Sequence, residues 1–183
     1  MLSMRIRFLL LISMHLLLAG CGRVKLKDPA PAPETLPPAT HSGANTFACR
    51  VNGQVWLYGT RYAINPSQIE PLAVQIGGGR LFILANRQKE GEQPSAIKIS
   101  FCGFRGLGEY DLFFPSQSRC GEVYYVNDVT HKYYDADSTS NSILTVTHYD
   151  TVSRIIAGRF QFTGIAAPGD TVRVTDGRFD LKF

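Results

Sequence analysis

Residues 156–163 contain the pattern that most constrains the fold. Phe160 and Phe162 occupy one face of this segment, and Arg159 and Gln161 occupy the other. Alternation with a period of two residues is typical of a β-strand with one buried face. The same period continues through 143–149. The last third of the chain is therefore predicted to be consecutive β-strands.

A hairpin is predicted at the C-terminus. Segments 171–175 and 178–183 flank Asp176-Gly177, a dipeptide that favours a tight turn between strands. The final strand alternates between apolar and charged side chains, so one set is predicted to point into the core and the other toward solvent. The inward set is Phe179, Leu181 and Phe183, and the outward set is Arg178, Asp180 and Lys182.

The chain between residues 46 and 135 consists of short β-rich runs that are bounded by turn residues. Asn52-Gly53 suits a type I′ hairpin, 77–79 is a triple-glycine turn, and 59–71 contains prolines typical of a loop. The predicted strands are 46–51, 54–58, 72–76, 80–86, 96–101, 110–114, 122–126 and 132–135. No segment shows a helical period over ten residues. We expect a mainly β fold, a single antiparallel β-sandwich or barrel of about ten strands, and the pattern does not distinguish the two.

The first 21 residues resemble a bacterial lipoprotein signal. Arg5 and Arg7 precede the mostly apolar run 8–18, which is followed by Leu18-Ala19-Gly20-Cys21. A run of about 11 residues is too short to span a bilayer, which needs about 20. The lipobox resemblance implies that residues 1–20 are a signal peptide and that Cys21 carries fatty acyl chains such as palmitate. The predicted partner is a membrane, reached through the lipid on Cys21, and Gly22 in place of an aspartate retention signal favours the outer membrane of a bacterial envelope.

A linker and one globular domain are predicted after the signal. Residues 21–45 contain five prolines within ten residues and no apolar period, which is typical of an extended spacer outside the folded domain. Residues 46–183 form the predicted all-β domain, and they carry 14 basic and 13 acidic side chains. Such a balanced surface gives no indication of nucleic-acid binding.

Three cysteines remain if Cys21 is acylated. An exported protein can form one disulfide from them, and Cys102 with Cys120 is the favoured pair because the two flank a single strand and its turns. Cys49 shares a strand face with Phe47 and Val51, which predicts a small buried residue. Pairing of Cys49 with either of the others stays open. The cysteine spacing is not that of a zinc site, and no metal is predicted.

Few motifs suggest catalysis. Asp135-x-Asp137-x-Thr139-x-Asn141 begins like a calcium loop, but Ser140 and Val146 stand where such a loop has glycine and glutamate, so a polar turn is the simpler interpretation. His131 and His148 lie in no motif with a nucleophile. Glu109 and Asp111 share a face of a predicted strand, which is the spacing of a carboxylate pair or simply of a solvated face. No catalytic residue and no cofactor are predicted.

Aromatic side chains provide the functional hint. Residues 46–183 contain 19 Phe, Tyr and Trp residues, several of them near strand ends or loops. Tyrosine and tryptophan combine an apolar face with a polar group and suit sugar or protein surfaces, although packing within the sheet explains them too. The candidate ligand contacts are Trp56, Tyr58, Tyr62, Tyr124, Tyr125, Tyr133 and Tyr134.

Several segments resemble the uncharacterised β-rich lipoprotein domains that are common in Bacteroidetes. The segments that carry the resemblance are 49–56 (Cys-Arg-Val-Asn-Gly-Gln-Val-Trp), 108–112, 144–147, 155–163 and 174–180. The resemblance implies a mostly β envelope lipoprotein and transfers no catalytic residue. We expect a membrane-anchored, non-enzymatic binding or scaffolding module with a protein or glycan partner. The alternative is an envelope enzyme, for example a glycan-directed hydrolase, whose site the sequence does not reveal.

Overall fold

The computed structural model describes residues 34–60, 71–88, 92–114, 120–127, 130–138 and 141–183. The predicted signal peptide, Cys21 and Tyr62 lie outside these ranges. All regular structure in the described residues is strand, which confirms the mainly β prediction. The strands are β1 (Thr46–Val51), β2 (Gln54–Leu57), β3 (Gly59–Thr60), β4 (Leu72–Gly77), β5 (Arg80–Gln88), β6 (Ser95–Cys102), β7 (Gly108–Asp111), β8 (Gly121–Asn127), β9 (Lys132–Ala136), β10 (Ile143–Asp150), β11 (Ile155–Ala167) and β12 (Asp170–Lys182).

The described strands form one 12-stranded sheet that curls into a half-barrel. Its main path runs β2-β1-β12-β11-β9-β8-β6-β5-β3, with β4 added beside β5 and with β10 and β7 branching from β11. All pairs are antiparallel except β3 with β5, which are parallel. The described residues therefore contain twelve strands, where about ten were expected.

The core consists of the side chains on one face of the curled sheet. In β5 and β6 these are alternate residues, as the period of two requires. Burying a large apolar side chain contributes roughly 1.5 to 3 kcal/mol, so this shared interior holds the strands together. The largest fully buried side chains are Phe47, Phe101, Phe179, Leu81, Ile83, Ile97, Ile99, Leu112, Leu144, Ile156, Leu181 and Val174.

Two predicted hairpins are confirmed. Asn52 and Gly53 have φ angles of 49° and 81° between β1 and β2, the pair of positive values that a type I′ turn needs. Gly78 and Gly79 have φ angles of 57° and 70° between β4 and β5. Glycine adopts such angles without steric cost.

The predicted C-terminal hairpin is wrong. β12 runs without a turn through Asp176-Gly177, and the chain reverses instead at residues 168–169, between β11 and β12. The strands pair along almost their whole length, and Asp176, with a φ of 53°, forms part of a bulge opposite Phe160. Gly177 allows the close approach there, because a Cβ atom would lie 2.3 Å from the Phe160 carbonyl oxygen.

The inward assignment of the last strand is correct, but one outward residue is buried. Phe179 and Leu181 lie in the core, and Phe183 is half-buried. Asp180, predicted to face solvent, is only 1% exposed. Its carboxylate accepts hydrogen bonds from the Thr40 hydroxyl at 2.7 Å and from the backbone N–H groups of Ser42 and Gly43 at 2.9 and 2.6 Å. The face is outward, as the alternation predicts, but another segment covers it.

That covering segment belongs to the predicted spacer. The compact unit begins at Glu34, before the predicted domain boundary at residue 46. Arg178 donates a hydrogen bond to the Pro37 carbonyl oxygen at 2.9 Å, and the ring of His41 lies 5.4 Å from that of His148. Residues 34–45 therefore contribute contacts to the domain, because their polar groups satisfy charged side chains on the outer face of the sheet.

Candidate functional site

The candidate site is a cleft where the sheet divides. β9 and β10 lie in series along one edge of β11. Just after β9 the Asp137 N–H donates to the Thr163 carbonyl oxygen of β11 at 2.8 Å, and just before β10 the Asn141 carbonyl oxygen accepts from the Gln161 side chain at 3.3 Å. β9 continues the sheet through β8, whereas β10 continues it through β7. The cleft has a volume of about 1030 Å³ and is lined by residues of β5, β6, β8 and β9 together with the segment that follows β7. Its size is that of a site for a small molecule or a short oligomer.

Phenyl rings form the apolar part of the cleft. Phe82 lies on β5, and Phe113 and Phe114 follow β7, which ends earlier than predicted. Phe113 is 37% exposed, while Phe114 stacks on the core residue Phe101 at 6.1 Å between ring centroids. A Cβ atom on Gly121 would lie 2.1 Å from the Phe114 ring, so this glycine allows the ring to lie flat against β8.

Charged side chains form the polar part. Lys98 forms an ion pair with Glu122 and lies 6.0 Å from the Phe82 ring centroid and 5.6 Å from that of Tyr124. Asp135 lines the same cleft, and burial and then the charge of Glu122 raise its pKa above the ordinary value. The cleft therefore places hydrogen-bonding carboxylates and an ammonium group beside aromatic faces.

Two thiols lie at the rim of the cleft. The Cys102 N–H donates to the Cys120 carbonyl oxygen at 2.6 Å, and the Arg80 guanidinium, which lines the cleft, donates to the Cys102 sulfur at 3.6 Å. A hydrogen bond with Cys120 and the nearby Arg80 lower the pKa of Cys102, and the same thiol contact raises the pKa of Cys120. The two side chains contact each other, and the predicted disulfide between them stays a prediction. Cys49 is fully buried, and burial raises its pKa.

The structure separates the candidate aromatic residues into three groups. Tyr124 and Tyr133 contact each other edge to face at 5.1 Å on the outer face, where Lys98 links them to the cleft. Tyr125 and Tyr134 contact each other at 6.0 Å on the opposite face of the same strands. The third group consists of Trp56, which is 4% exposed, and Tyr58, which is partly buried against the core.

The polar groups of three of these aromatic residues, Trp56, Tyr58 and Tyr125, form hydrogen bonds within the protein. Trp56 donates its indole N–H to the Ser95 hydroxyl at 2.9 Å. Tyr58 donates its hydroxyl to the Asn45 carbonyl oxygen. Burial raises the pKa of Tyr125, and a hydrogen bond with Ser95 opposes that shift. Of the six candidates that the structure describes, Tyr124 and Tyr133 are therefore the ones on the cleft side of the sheet.

The histidines and the carboxylates of β7 do not form a cluster with Asp135. His131 is exposed in the turn before β9, and His148 lies against His41. Glu109 is exposed, and Asp111 accepts a hydrogen bond from the Phe113 N–H at 2.9 Å. Among the described residues, no three His, Cys, Asp or Glu side chains are grouped as they would be around a metal ion. None of the described chain forms a long, apolar helix of the kind that crosses a bilayer.

Sequence reasoning missed Phe82, Lys98, Phe113 and Phe114 as site residues. Phe82 stands at an outward position of β5, where alternation predicts a polar residue, and this mismatch is the signal that could have identified it. The sequence pattern predicts a strand over 110–114, but β7 ends at Asp111. Phe113 and Phe114 therefore lie beyond the strand and line the cleft, which the pattern does not predict. Lys98 has no distinguishing pattern, because an outward lysine on a strand is ordinary.

Comparisons of this chain with family models, with curated proteins and with solved structures give no match.

Proposed function

We propose that this protein is a lipid-anchored module of the bacterial envelope, held by Cys21 at the outer membrane, and that it binds carbohydrate in the cleft. The observation that carries the proposal is the composition of the cleft wall. The phenyl rings of Phe82 and Phe113 line a groove of about 1030 Å³ beside an ammonium group and carboxylates. The phenol rings of Tyr124 and Tyr133 contact each other just outside that lining, where Tyr124 faces Lys98. Sugars present both apolar C–H faces and hydroxyl groups, so they need stacking surfaces and hydrogen-bonding groups together.

A binding measurement tests the carbohydrate proposal. The full chain in non-ionic detergent would be titrated with soluble oligosaccharides of neutral, acidic and amino sugars. Phe113→Ala and Tyr133→Ala should each weaken binding by about twofold to tenfold, the range expected for loss of one aromatic contact. Leu107→Ala is the matched control, because Leu107 is 65% exposed and lies outside the cleft lining. Equal affinity of all four proteins, or binding of no sugar class by wild type, would refute the proposal.

A fractionation experiment tests the anchor independently. Wild type should sediment with the outer membrane, and Cys21→Ala should appear in the soluble fraction. Retention of Cys21→Ala in the membrane at the wild-type level would contradict acylation of Cys21.

A second candidate is glycan hydrolysis, which one observation favours. Asp135 and Glu122 line the same cleft, and the raised pKa of Asp135 is a property of a carboxyl group that acts as a general acid. Incubation with the sugar that binds best, followed by product analysis, separates the two candidates. Turnover that disappears in Asp135→Asn while binding persists would assign hydrolysis, and binding without turnover would assign recognition alone.

A further inference from the structure

Arg159 and Arg178 face each other across two neighbouring strands. The register pairs Arg159 of β11 directly with Arg178 of β12, and both are on the outer face. Side chains directly opposite in an antiparallel pair have Cβ atoms about 5 Å apart, and like charges at such positions destabilise a sheet. The repulsion between the two guanidinium groups therefore lowers the stability of the sheet, and an anion bound between them would remove that repulsion.

Both side chains line a concavity of about 420 Å³, away from the cleft described above. In the bulge Gln161 of β11 lies opposite Thr175 and Asp176 of β12, and Gln161 and Asp176 form part of the wall of the concavity. Bulges re-aim side chains and occur often beside binding sites. Gln161 and Thr145 add polar groups to the lining, and Ile143 and Phe160 add apolar surface.

The carboxylates of the lining do not neutralise the two arginines. Asp176 is paired with Arg50, which does not line the concavity, at 3.3 Å. The Arg178 guanidinium donates to the carbonyl oxygens of Pro37 and Asp176, which are uncharged acceptors. Within the described part of the chain, the Arg159 guanidinium has no hydrogen-bond or ion-pair partner. Glu109 is the remaining carboxylate of the lining, and Thr145 of β10 lies between it and Arg159 in the register.

We propose that Arg159 and Arg178 form a binding site for a phosphate group carried by a small organic molecule. Two guanidinium groups side by side offer paired N–H donors to different oxygens, and a phosphate supplies three such acceptors where a carboxylate supplies two. The concavity is larger than a phosphate alone, so the substituent would lie against Ile143 and Phe160. The site is independent of carbohydrate binding in the cleft.

The test uses the full chain in non-ionic detergent and three probes. These are inorganic phosphate, a hexose phosphate as a monoester, and dihexanoyl phosphatidylglycerol below its micelle concentration as a diester headgroup. Wild type should bind the hexose phosphate more tightly than inorganic phosphate, and the melting temperature should rise with its concentration. Tighter binding of the diester than of the monoester would identify a lipid headgroup as the source of the phosphate, and the reverse would identify a soluble metabolite or glycan phosphate.

The variants distinguish a built site from general surface charge. Arg159→Gln should weaken hexose phosphate binding by about tenfold or more, and it should leave the melting temperature without ligand unchanged or higher, since it removes a like-charge contact. Glu109→Gln should tighten binding, because it removes repulsion. Arg173→Gln is the matched control, an exposed arginine on β12 outside the concavity. Binding of no probe by wild type, or equal affinity of wild type and Arg159→Gln, would overturn the proposal.

Discussion

The outer faces of the two sides of the sheet differ in what covers them. On β10, β11 and β12, residues 40–43 lie over a row in which His148, Ala157 and Asp180 stand side by side. On β6, β8 and β9, the outward residues Lys98, Glu122 and Asp135 line a cleft, and Tyr133 is 50% exposed. Both sides consist of antiparallel strands, and residues 40–43 cover the row on β10, β11 and β12.

Two carboxylates show the consequence of that difference. Burial raises the pKa of Asp180, but hydrogen bonds from Thr40 and from the N–H groups of residues 42–44 outweigh it, and the pKa falls below its ordinary value. Asp135 on the open side has its pKa raised by burial and by Glu122. Position within a strand sets which face a side chain occupies, and the covering segment decides whether that face stabilises a charge.

Removal of the covering segment should have the largest effect. A chain that begins at Asn45 would lose the donors to Asp180 and the contacts of Pro37 and Glu34 with arginines. We expect a loss of about 4 kcal/mol of unfolding free energy, on the order of 12 °C in melting temperature. A chain that begins at Glu34 is the control and should melt as the full chain does. Equal melting of the two truncated chains would show that residues 34–44 do not stabilise the domain.

A disulfide between Cys102, at the end of β6, and Cys120, just before β8, should stabilise the side of the sheet that carries the cleft. Oxidation of Cys102 with Cys120 closes a loop of about 17 residues and should raise the melting temperature by about 10 °C relative to the reduced protein. Cys49→Ala should retain this difference, and Cys120→Ser should abolish it. Three free thiols in unfolded, unreduced protein that carries an acylated Cys21 would contradict the bridge.

Replacement of the covered carboxylate should destabilise the protein more than replacement of an exposed one on the same strand. Asp180→Asn should cost about 1.5 to 3 kcal/mol, the range for hydrogen bonds to a charged group. Asp176→Asn should cost under about 1 kcal/mol, because its pair with Arg50 is largely exposed. Urea unfolding measures both. Similar losses of unfolding free energy in the two variants would show that burial of Asp180 under residues 40–43 does not increase its contribution to stability.

The stability difference between wild type and Asp180→Asn should depend on pH. The pKa of Asp180 is lower in the folded protein than its ordinary value of 3.8. Its contribution is therefore fully present above that value and is lost as the pH falls through the folded pKa. Unfolding measured from pH 7 downward should show the two proteins converging only below pH 3.8. Convergence at higher pH would contradict the lowered pKa.

The smallest effect is expected for Asp135→Asn. A raised pKa means that the ionised form is disfavoured in the folded protein, so the neutral amide should leave unfolding free energy within about 0.5 kcal/mol of wild type at pH 7, or raise it. Glu122→Gln is the companion variant, and it should also lower the pKa of Asp135. A loss above 1 kcal/mol in Asp135→Asn would mean that the open face has donors to this carboxylate.

Local chemistry along the chain was enough to predict most of the strands, the inward residues of the last strand and two hairpins. Alternation separates Phe179 and Leu181 from their neighbours, and Asn52-Gly53 tolerates positive φ angles wherever it occurs. The Asp176-Gly177 turn was mispredicted because the same tolerance serves a bulge equally well, and the long partner β11 favours the bulge. Local preferences limit what a segment can do, and its pairing partner selects among those options.

The tertiary structure alone decided the division of the sheet at β11, the cleft beside it, the burial of Asp180 and the pairing of Arg159 with Arg178. Each depends on contacts between residues far apart in the chain. Thr40 and Asp180 are separated by 140 positions, and the sequence around either residue does not indicate that the two are in contact. The sequence determined a mainly β domain, because that prediction rests on short-range hydrophobic patterns, and the lipoprotein-like start stays a prediction. The strand register and the burial of outer-face residues under another segment depend on long-range contacts, which form only when the strands are paired.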